Sequence, residues 1–484
     1  MASGNEKMVT MGGEAALPVR PLPEPPKAIH LLGPGLVLTA LGVGLGETFM
    51  WPRLVIVFGP SIRWLFLLGV TIQLVVMMEM ARWAMATGES IFFGAARIHR
   101  GLLWFFWLTA LLVYIWPGHV SLGAQALSTI TGINWVPLAV GGILLIGIII
   151  TFSKVVYNMV ESVLSTLISI VVIGAALIAA IVGTGAEWWS TIAGLFHIGW
   201  WNPQLATAKW LPIIIGSIAF AGPSGMQQMW YTLYLRDKGA GMGKYAGRIT
   251  SWLTGEPEAM PETGSTFDAN DPEEMQKWKG WTSWNKFDAW VLFWGITMVT
   301  TVIFTVLAMA AGRLDPAAAK AIAGGKQTEA LKAMATAFSQ VGGKATYILF
   351  YLFMGIVGWK MSFGIFDAFA RGQADMTWYF MPGAKKYPMN RWYYFFLYLA
   401  VGVGILTVLL GSPKGPTFIL NVLAFLSAFV MGAYCPLLLY VNNRFLPKPV
   451  RPGIVNNVAL VVGTLFYLGG LFYSVIFLGA IPKG

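Results

Sequence analysis

Residues 42 to 47 read Gly-Val-Gly-Leu-Gly-Glu, and they interrupt an apolar stretch that runs from Leu31 to Phe58. Three glycines around a carboxylate do not sustain a helix, because glycine gives up backbone entropy and leaves the turn open. The chain around them belongs in a bilayer. Its 484 residues are 57% hydrophobic and only 11% charged, with mean hydropathy +0.67, against about 25% charged for a soluble domain. Unwound backbone at bilayer depth is tolerated only where it is buried in protein or lines a cavity. A second interruption, Ala221-Gly-Pro-Ser-Gly225, falls inside the apolar stretch Leu211–Leu235.

Stretches of about 20 apolar residues set the spans. Eleven are predicted, at 31–58, 63–86, 103–128, 134–153, 159–183, 211–235, 287–312, 345–370, 392–411, 416–441 and 454–480. With the N-terminus in the cytoplasm, about two thirds of the 32 Lys and Arg fall in inner segments, as the positive-inside rule requires. That rule also accounts for the net charge of +11 without a nucleic-acid partner. The expected location is the plasma (inner) membrane, with lipid as the surrounding partner and a transported ion or small solute as the other. No secretory signal is visible. The single cysteine, Cys435, excludes a disulfide framework, and the four histidines are scattered. No phosphate-binding Gly-x-x-x-x-Gly-Lys motif appears, and no cofactor is expected.

Counting from the two breaks yields two five-helix units, spans 1–5 and 6–10, which run in opposite senses because five is odd. This is the pattern of an inverted-repeat transporter with an all-α, leucine-transporter-like fold and a midplane site at the broken helices. The organisation follows as a disordered cytoplasmic tail at 1–29, with five prolines from Pro18 to Pro26, and a first repeat at 30–185. An external loop at 186–209 leads to the second repeat at 210–441, and span 11 with the C-terminus occupies 442–484. The second repeat carries a cytoplasmic insertion at 237–286 and an external loop at 313–344. The insertion is acidic and ends in Trp278, Trp281 and Trp284, which read as an interfacial helix. In the external loop Asp315 precedes Pro316 as a helix cap.

Gly33-Pro34-Gly35 opens span 1, and span 2 ends in Ala86-Thr87-Gly88-Glu89-Ser90. With Pro223 in the second break and Val441-Asn442-Asn443-Arg444 after span 10, the chain resembles the Nramp family of proton-coupled divalent metal transporters. The resemblance implies a divalent cation as cargo and proton coupling. The family's metal ligands are replaced, however. Its Asp falls on Gly44, its Asn on Glu47, its Met on Gly222, the neighbouring His on Ser224, and its proton-pathway Glu on His119.

The residues themselves leave more than one cargo open. Glu47 is an intramembrane acid, which marks function by default, and it is the candidate metal ligand. It also begins a half-helix, where an acid caps the dipole. Gly44, Leu45, Gly46, Gly222 and Gly225 free backbone groups. Amides at a half-helix N-terminus suit anions, and carbonyls at a C-terminus suit cations. Ser224, Gln227 and Gln228 add neutral polar contacts, at least one glutamine facing the cavity. Lys360 lies mid-span and is expected to face inward with His119 as a charge- or proton-coupling group. Two readings compete. One is a divalent cation of the Mg²⁺/Mn²⁺ class held by Glu47, with loss of the thioether favouring the harder ion. The other is a small anion or amino acid bound by amides and Lys360. Glu79 with Arg82 and Asp367 with Arg371 read as structural ion pairs.

Overall fold

The computed structural model describes residues 7–26, 44–152, 156–247 and 261–481. In hydrocarbon each backbone N–H and C=O must find its partner inside the segment, so the apolar stretches become helices. In chain order these are α1 (Trp51–Phe58), α2 (Trp64–Thr87), α3 (Ile91–Ile98), α4 (Arg100–Tyr114), α5 (Gly118–Thr131) and α6 (Trp135–Thr151). Then come α7 (Val156–Val182), α8 (Gly185–Leu195), α9 (Leu211–Ala219), α10 (Gln227–Lys238), α11 (Pro272–Phe287) and α12 (Ile296–Leu314). The chain closes with α13 (Pro316–Gly324), α14 (Glu329–Phe380), α15 (Met389–Gly411), α16 (Pro416–Arg444) and α17 (Ile454–Phe472).

Among the described residues, seven helical stretches are long and apolar enough to cross a bilayer: Pro60–Thr87, Arg100–Thr131, Pro272–Leu314, Glu329–Phe380, Met389–Lys414, Pro416–Arg444 and Ile454–Phe477. Helices α6 and α7 supply predicted spans 4 and 5. The remaining two spans are the broken ones. Span 1 is described from Gly44 onward, as a π-helical turn at Gly46–Met50 running into α1. Its earlier half, with Gly33-Pro34-Gly35 and Gly42, lies outside the described residues. Span 6 is α9 and α10 separated by residues 220–226. The long helix α14 packs against α5, α15, α7 and α12, while α16 packs on α17, α9 and α5. Half-helix α1 leans on α12, and α10 on α2.

Three expectations change. Span 3 is two helices, because Pro117 lacks the N–H that would continue α4, and α5 restarts behind it. The glycine that opens α5 lets it touch α16: a Cβ on Gly118 would fall 2.5 Å from the Leu420 Cα. The N-terminal segment, expected to be disordered, is a strap over 7–26. A short hairpin pairs Met8–Val9 with Leu17–Pro18, and the extended prolines leave carbonyls free to accept. Trp281 Nε1 donates to the Pro23 carbonyl at 2.8 Å, Tyr245 to Pro21 at 2.7 Å, and Arg97 to Met11 at 2.6 Å. The third change follows from the second. Trp278, Trp281 and Trp284 of α11 are buried beneath this strap and against the bundle rather than lying in an interface.

Beyond α12, Asp315 caps α13 by accepting from the Ala318 amide at 3.1 Å. The loop ends where α14 kinks at Gly342–Gly343, the latter at φ 60°.

Candidate functional site

The two breaks meet. A Cβ on Gly46 would fall 1.8 Å from the Phe220 carbonyl oxygen, so only glycine allows the turn of span 1 to lie on the break of span 6. Leu45 and Glu47 on either side are fully buried. Glu47 reaches back to accept the Gly44 amide at 3.0 Å, which is the capping role. That bond uses Oε2 only. Oε1 is buried with no partner among the described residues. The Gly44 carbonyl is already taken by the hydroxyl of Thr48 at 2.7 Å.

Span 6 is held open by side chains from other spans. Gln73 of α2 donates to the carbonyls of Ala219 at 3.0 Å and Ile218 at 3.3 Å, capping the C-terminus of α9. Its Oε1 stands where a Cβ on Gly222 would be, at 2.7 Å. Tyr114, the last residue of α4, donates to the Ser224 carbonyl at 3.0 Å and accepts from the Met226 amide at 2.9 Å. Gly225 adopts φ 55° beneath that hydroxyl. The unwound strand is therefore clamped rather than loose.

This clamp sorts the candidate residues. Gln228, expected to face the solute, is committed at both ends: it donates to the Gln73 carbonyl at 2.8 Å and accepts from Tyr434 at 2.5 Å. Ser224 contributes its carbonyl to Tyr114. Gln227 keeps a buried Oε1 without a partner among the described residues. His119 is buried with both ring nitrogens unpartnered among the described residues, and its ring stacks on Phe220 at 5.3 Å. Lys360 is buried on α14 within electrostatic range of both Glu47 and His119. Next to it, Met361 places its Sδ 2.6 Å from where a Cβ on Gly44 would stand.

Sequence reading missed Gln73, Tyr114 and Met361. A lone glutamine in an apolar span was the one local signal, for Gln73. It also missed a face of α12. Threonines in this chain ordinarily donate one turn back, as Thr109 does to Phe105 at 2.6 Å and Thr151 to Gly147 at 2.7 Å. On α12, Thr297, Thr300, Thr301 and Thr305 are buried with hydroxyls that have no partner among the described residues. Thr297, Thr301, Thr305 and Gly312 share an arc of about 80°. Gly312 looks onto Ile56 of α1, and α12 also contacts the turn Gly46–Met50. The hydroxyls therefore face span 1.

The expected ion pairs form on the face that carries the N-terminal strap. Arg82 donates to Glu79 at 2.8 Å, and Asn442 joins that carboxylate at 2.9 Å. Arg371 pairs with Asp367 at 3.0 Å and with Asp237. Arg236 reaches Asp375 at 2.5 Å, and Ser90 binds the same carboxylate at 2.7 Å. This buried network joins the end of α10 and the last turns of α14 to the start of α3. Glu161, near the inner end of span 5 and expected to be structural, has a side chain outside the described residues. Among the described residues, three or more His, Cys, Asp or Glu side chains nowhere cluster as a metal site.

An all-α polytopic membrane protein whose two inverted five-helix units meet at paired broken helices has the leucine-transporter-like fold. No family profile and no curated protein matches the chain. Solved structures do. A manganese transporter from Eremococcus coleocola is 14% identical, with 96% of this chain and 92% of that one covered at a TM-score of 0.66. Mhp1, a nucleobase-cation-symport-1 family transporter solved with bromovinylhydantoin bound, is 16% identical over 92% and 91% of the two chains, at 0.52. MhsT in complex with L-phenylalanine is 13% identical over 95% and 99%, at 0.51. Likeness at this identity carries the architecture, and the cargo has to be argued from the site.

Proposed function

We propose that the chain is an Nramp-related secondary active transporter that carries a divalent metal ion by alternating access around the two breaks. The carrying observation is Glu47: fully buried where the breaks meet, with one carboxylate oxygen capping the turn and the other unpartnered. A buried carboxylate in such a position wants a cation or a proton. Other buried atoms on the two breaks and α5 without partners among the described residues are the His119 nitrogens and Gln227 Oε1, and the Met361 thioether lies against Gly44. Carboxylate, imidazole and thioether together suit a borderline ion such as Mn²⁺ better than Mg²⁺, which prefers oxygen alone. The backbone carbonyls expected to help are already engaged, by Gln73 on span 6 and Thr48 on span 1. Lys360 and His119 are the proton-coupling groups in this reading, and the strap-bearing face is cytoplasmic at the plasma membrane.

One observation favours a second cargo. Lys360 lies within electrostatic range of Glu47, where a protonated amine would repel a metal ion. A zwitterionic amino acid or a small anion would use that charge. Uptake into proteoliposomes of Mn²⁺, Mg²⁺, amino acids and small anions separates the two. For the metal reading, Mn²⁺ uptake is abolished by Glu47→Gln, whereas Lys360→Met keeps downhill Mn²⁺ uptake and loses its dependence on the proton gradient. Metal uptake unaffected by Glu47→Gln defeats it, and amino-acid or anion uptake lost in Lys360→Met establishes the second.

A further inference from the structure

Arg53 is a buried cation that the transport cycle just described does not use. It lies on α1 two turns beyond the break, fully inaccessible to solvent. One of its N–H groups is engaged: Nη2 donates to Asn421 Oδ1 of α16 at 2.9 Å. Nε and Nη1 have no partner, and no carboxylate pairs with the guanidinium among the described residues. The ring of Phe49, 5.3 Å from the guanidinium carbon, is the other neighbour that suits a cation. Arg97, Arg236 and Arg371, also buried, each have an acid, whereas Arg63, just before α2, donates to the Thr191 carbonyl at 2.6 Å. A charge taken out of water without a counter-charge is among the costliest arrangements in a protein interior.

Its hydrogen-bond partner leads to a cavity. Asn421 lines a space of about 410 Å³ between α5, the start of α14 and the start of α16, on the face opposite the N-terminal strap. Lys326, Gln327, Lys414 and Thr417 line it with Asn421, and Glu329 is the acid there. The Gln327 side-chain oxygen Oε1 and the Thr417 hydroxyl are buried without partners among the described residues. On the lining Lys326 and Lys414 outnumber Glu329, and Arg53, outside the lining, is joined to it through Asn421, so the cavity is a cationic pocket with unused polar atoms.

We propose that this vestibule binds a small anion, with Arg53 as the anchoring cation, Asn421 as the residue that positions it, and Lys326 and Lys414 as the attracting rim. The class is set by the anchor. A guanidinium is weakly hydrated and presents planar N–H donors that fit carboxylate and phosphate oxygens, and the same desolvated charge accepts a halide. The anion supplies the missing counter-charge and ties α1 to α16, so it stabilises the contact between a moving half-helix and its neighbour. The site is separate from Glu47 and stands whichever cargo crosses there.

The test reads binding rather than transport. Full-length protein in detergent is titrated with chloride, inorganic phosphate or acetate at constant ionic strength, with a bulky sulfonate as the balancing anion, while thermal unfolding is followed. A saturable rise in the unfolding midpoint with at least one anion is expected. Saturation by chloride alone identifies a halide site, and saturation by phosphate or acetate an oxyanion site. In Arg53→Met the rise disappears, and the anion-free midpoint lies at or above that of the wild type. No saturable rise in the wild type, or the same rise in Arg53→Met, overturns the proposal. Should Arg53→Met fail to fold, the double variant Lys326→Gln/Lys414→Gln changes only exposed positions. It shifts the half-saturating anion concentration upward by about tenfold, and an unshifted value overturns the proposal equally.

Discussion

The carboxylate of Glu47 accepts the backbone amide of Gly44 at 3.0 Å through one oxygen and leaves the other without a partner. Cap and candidate ligand are therefore the same side chain, divided between its two oxygens. Glu47→Gln keeps an acceptor for Gly44 and removes the charge, so its stability stays within about 1 kcal/mol of the wild type while cation uptake is lost. Glu47→Ala loses the cap as well and is less stable by about 1–2 kcal/mol. Thermal unfolding in detergent, run beside the uptake assay, separates the two effects.

Gly46 is where the breaks touch. A methyl group there collides with the Phe220 carbonyl, and neither backbone can retreat without parting the two spans. Gly46→Ala is expected to cost about 3 kcal/mol or more and to abolish uptake. Gly402, with nothing within reach of its Cβ position, is the control, and Gly402→Ala leaves both readouts unchanged.

Tyr114 holds the second break through Ser224 and Met226. Tyr114→Phe keeps the ring and strands a buried carbonyl and a buried amide, a loss of about 1–3 kcal/mol. Faster hydrogen exchange confined to peptides covering 220–228 is the expected signature. Uniformly faster exchange across the protein would mean that the clamp is not local.

The unpartnered hydroxyls of α12 face span 1, and alternating access would wet them when that span moves. Cys435 is the chain's single cysteine and is buried, so a Cys435→Ser background is clean for thiol labelling. Cysteines at 301 and 305 are expected to react with a water-soluble thiol reagent and to be protected by cargo. A cysteine at 306 is expected to stay silent, because Val306 packs on Gly183. Equal labelling at all three positions would defeat the assignment.

Glu187 of α8 ties the loop before span 6 to the end of α12 through Arg313 at 2.9 Å. Burial alone would raise its carboxyl, but the hydrogen bonds from Arg313 and from Thr184 outweigh burial and hold it below the ordinary carboxylate range. A carboxylate depressed in the folded state contributes stability above its unfolded value and loses it as pH falls through the folded value. Hydrogen exchange in 184–195 should therefore be slow at neutral pH and accelerate below the ordinary carboxylate range. Arg313→Gln should move that acceleration to higher pH; an unmoved profile would remove Arg313 as the cause.

The sequence by itself determined what depends on neighbours along the chain. Span lengths follow from runs of apolar residues, and both breaks follow from clustered glycine and proline, whose backbone cost is local. It also located Glu47, because a carboxylate at bilayer depth needs no tertiary information to be conspicuous. What only the tertiary structure decided is which of the exposed groups remain open. Gln73 and Tyr114 arrive from other spans to take up the freed backbone of span 6, and Met361 brings a thioether to Gly44 from more than three hundred residues away. The prolines of the N-terminal segment likewise look disordered until Arg97, Tyr245 and Trp281 find their carbonyls. Hydrogen-bond partners are chosen by proximity in space, and in a bundle of crossed helices that proximity is fixed by packing, which no local pattern of residues records.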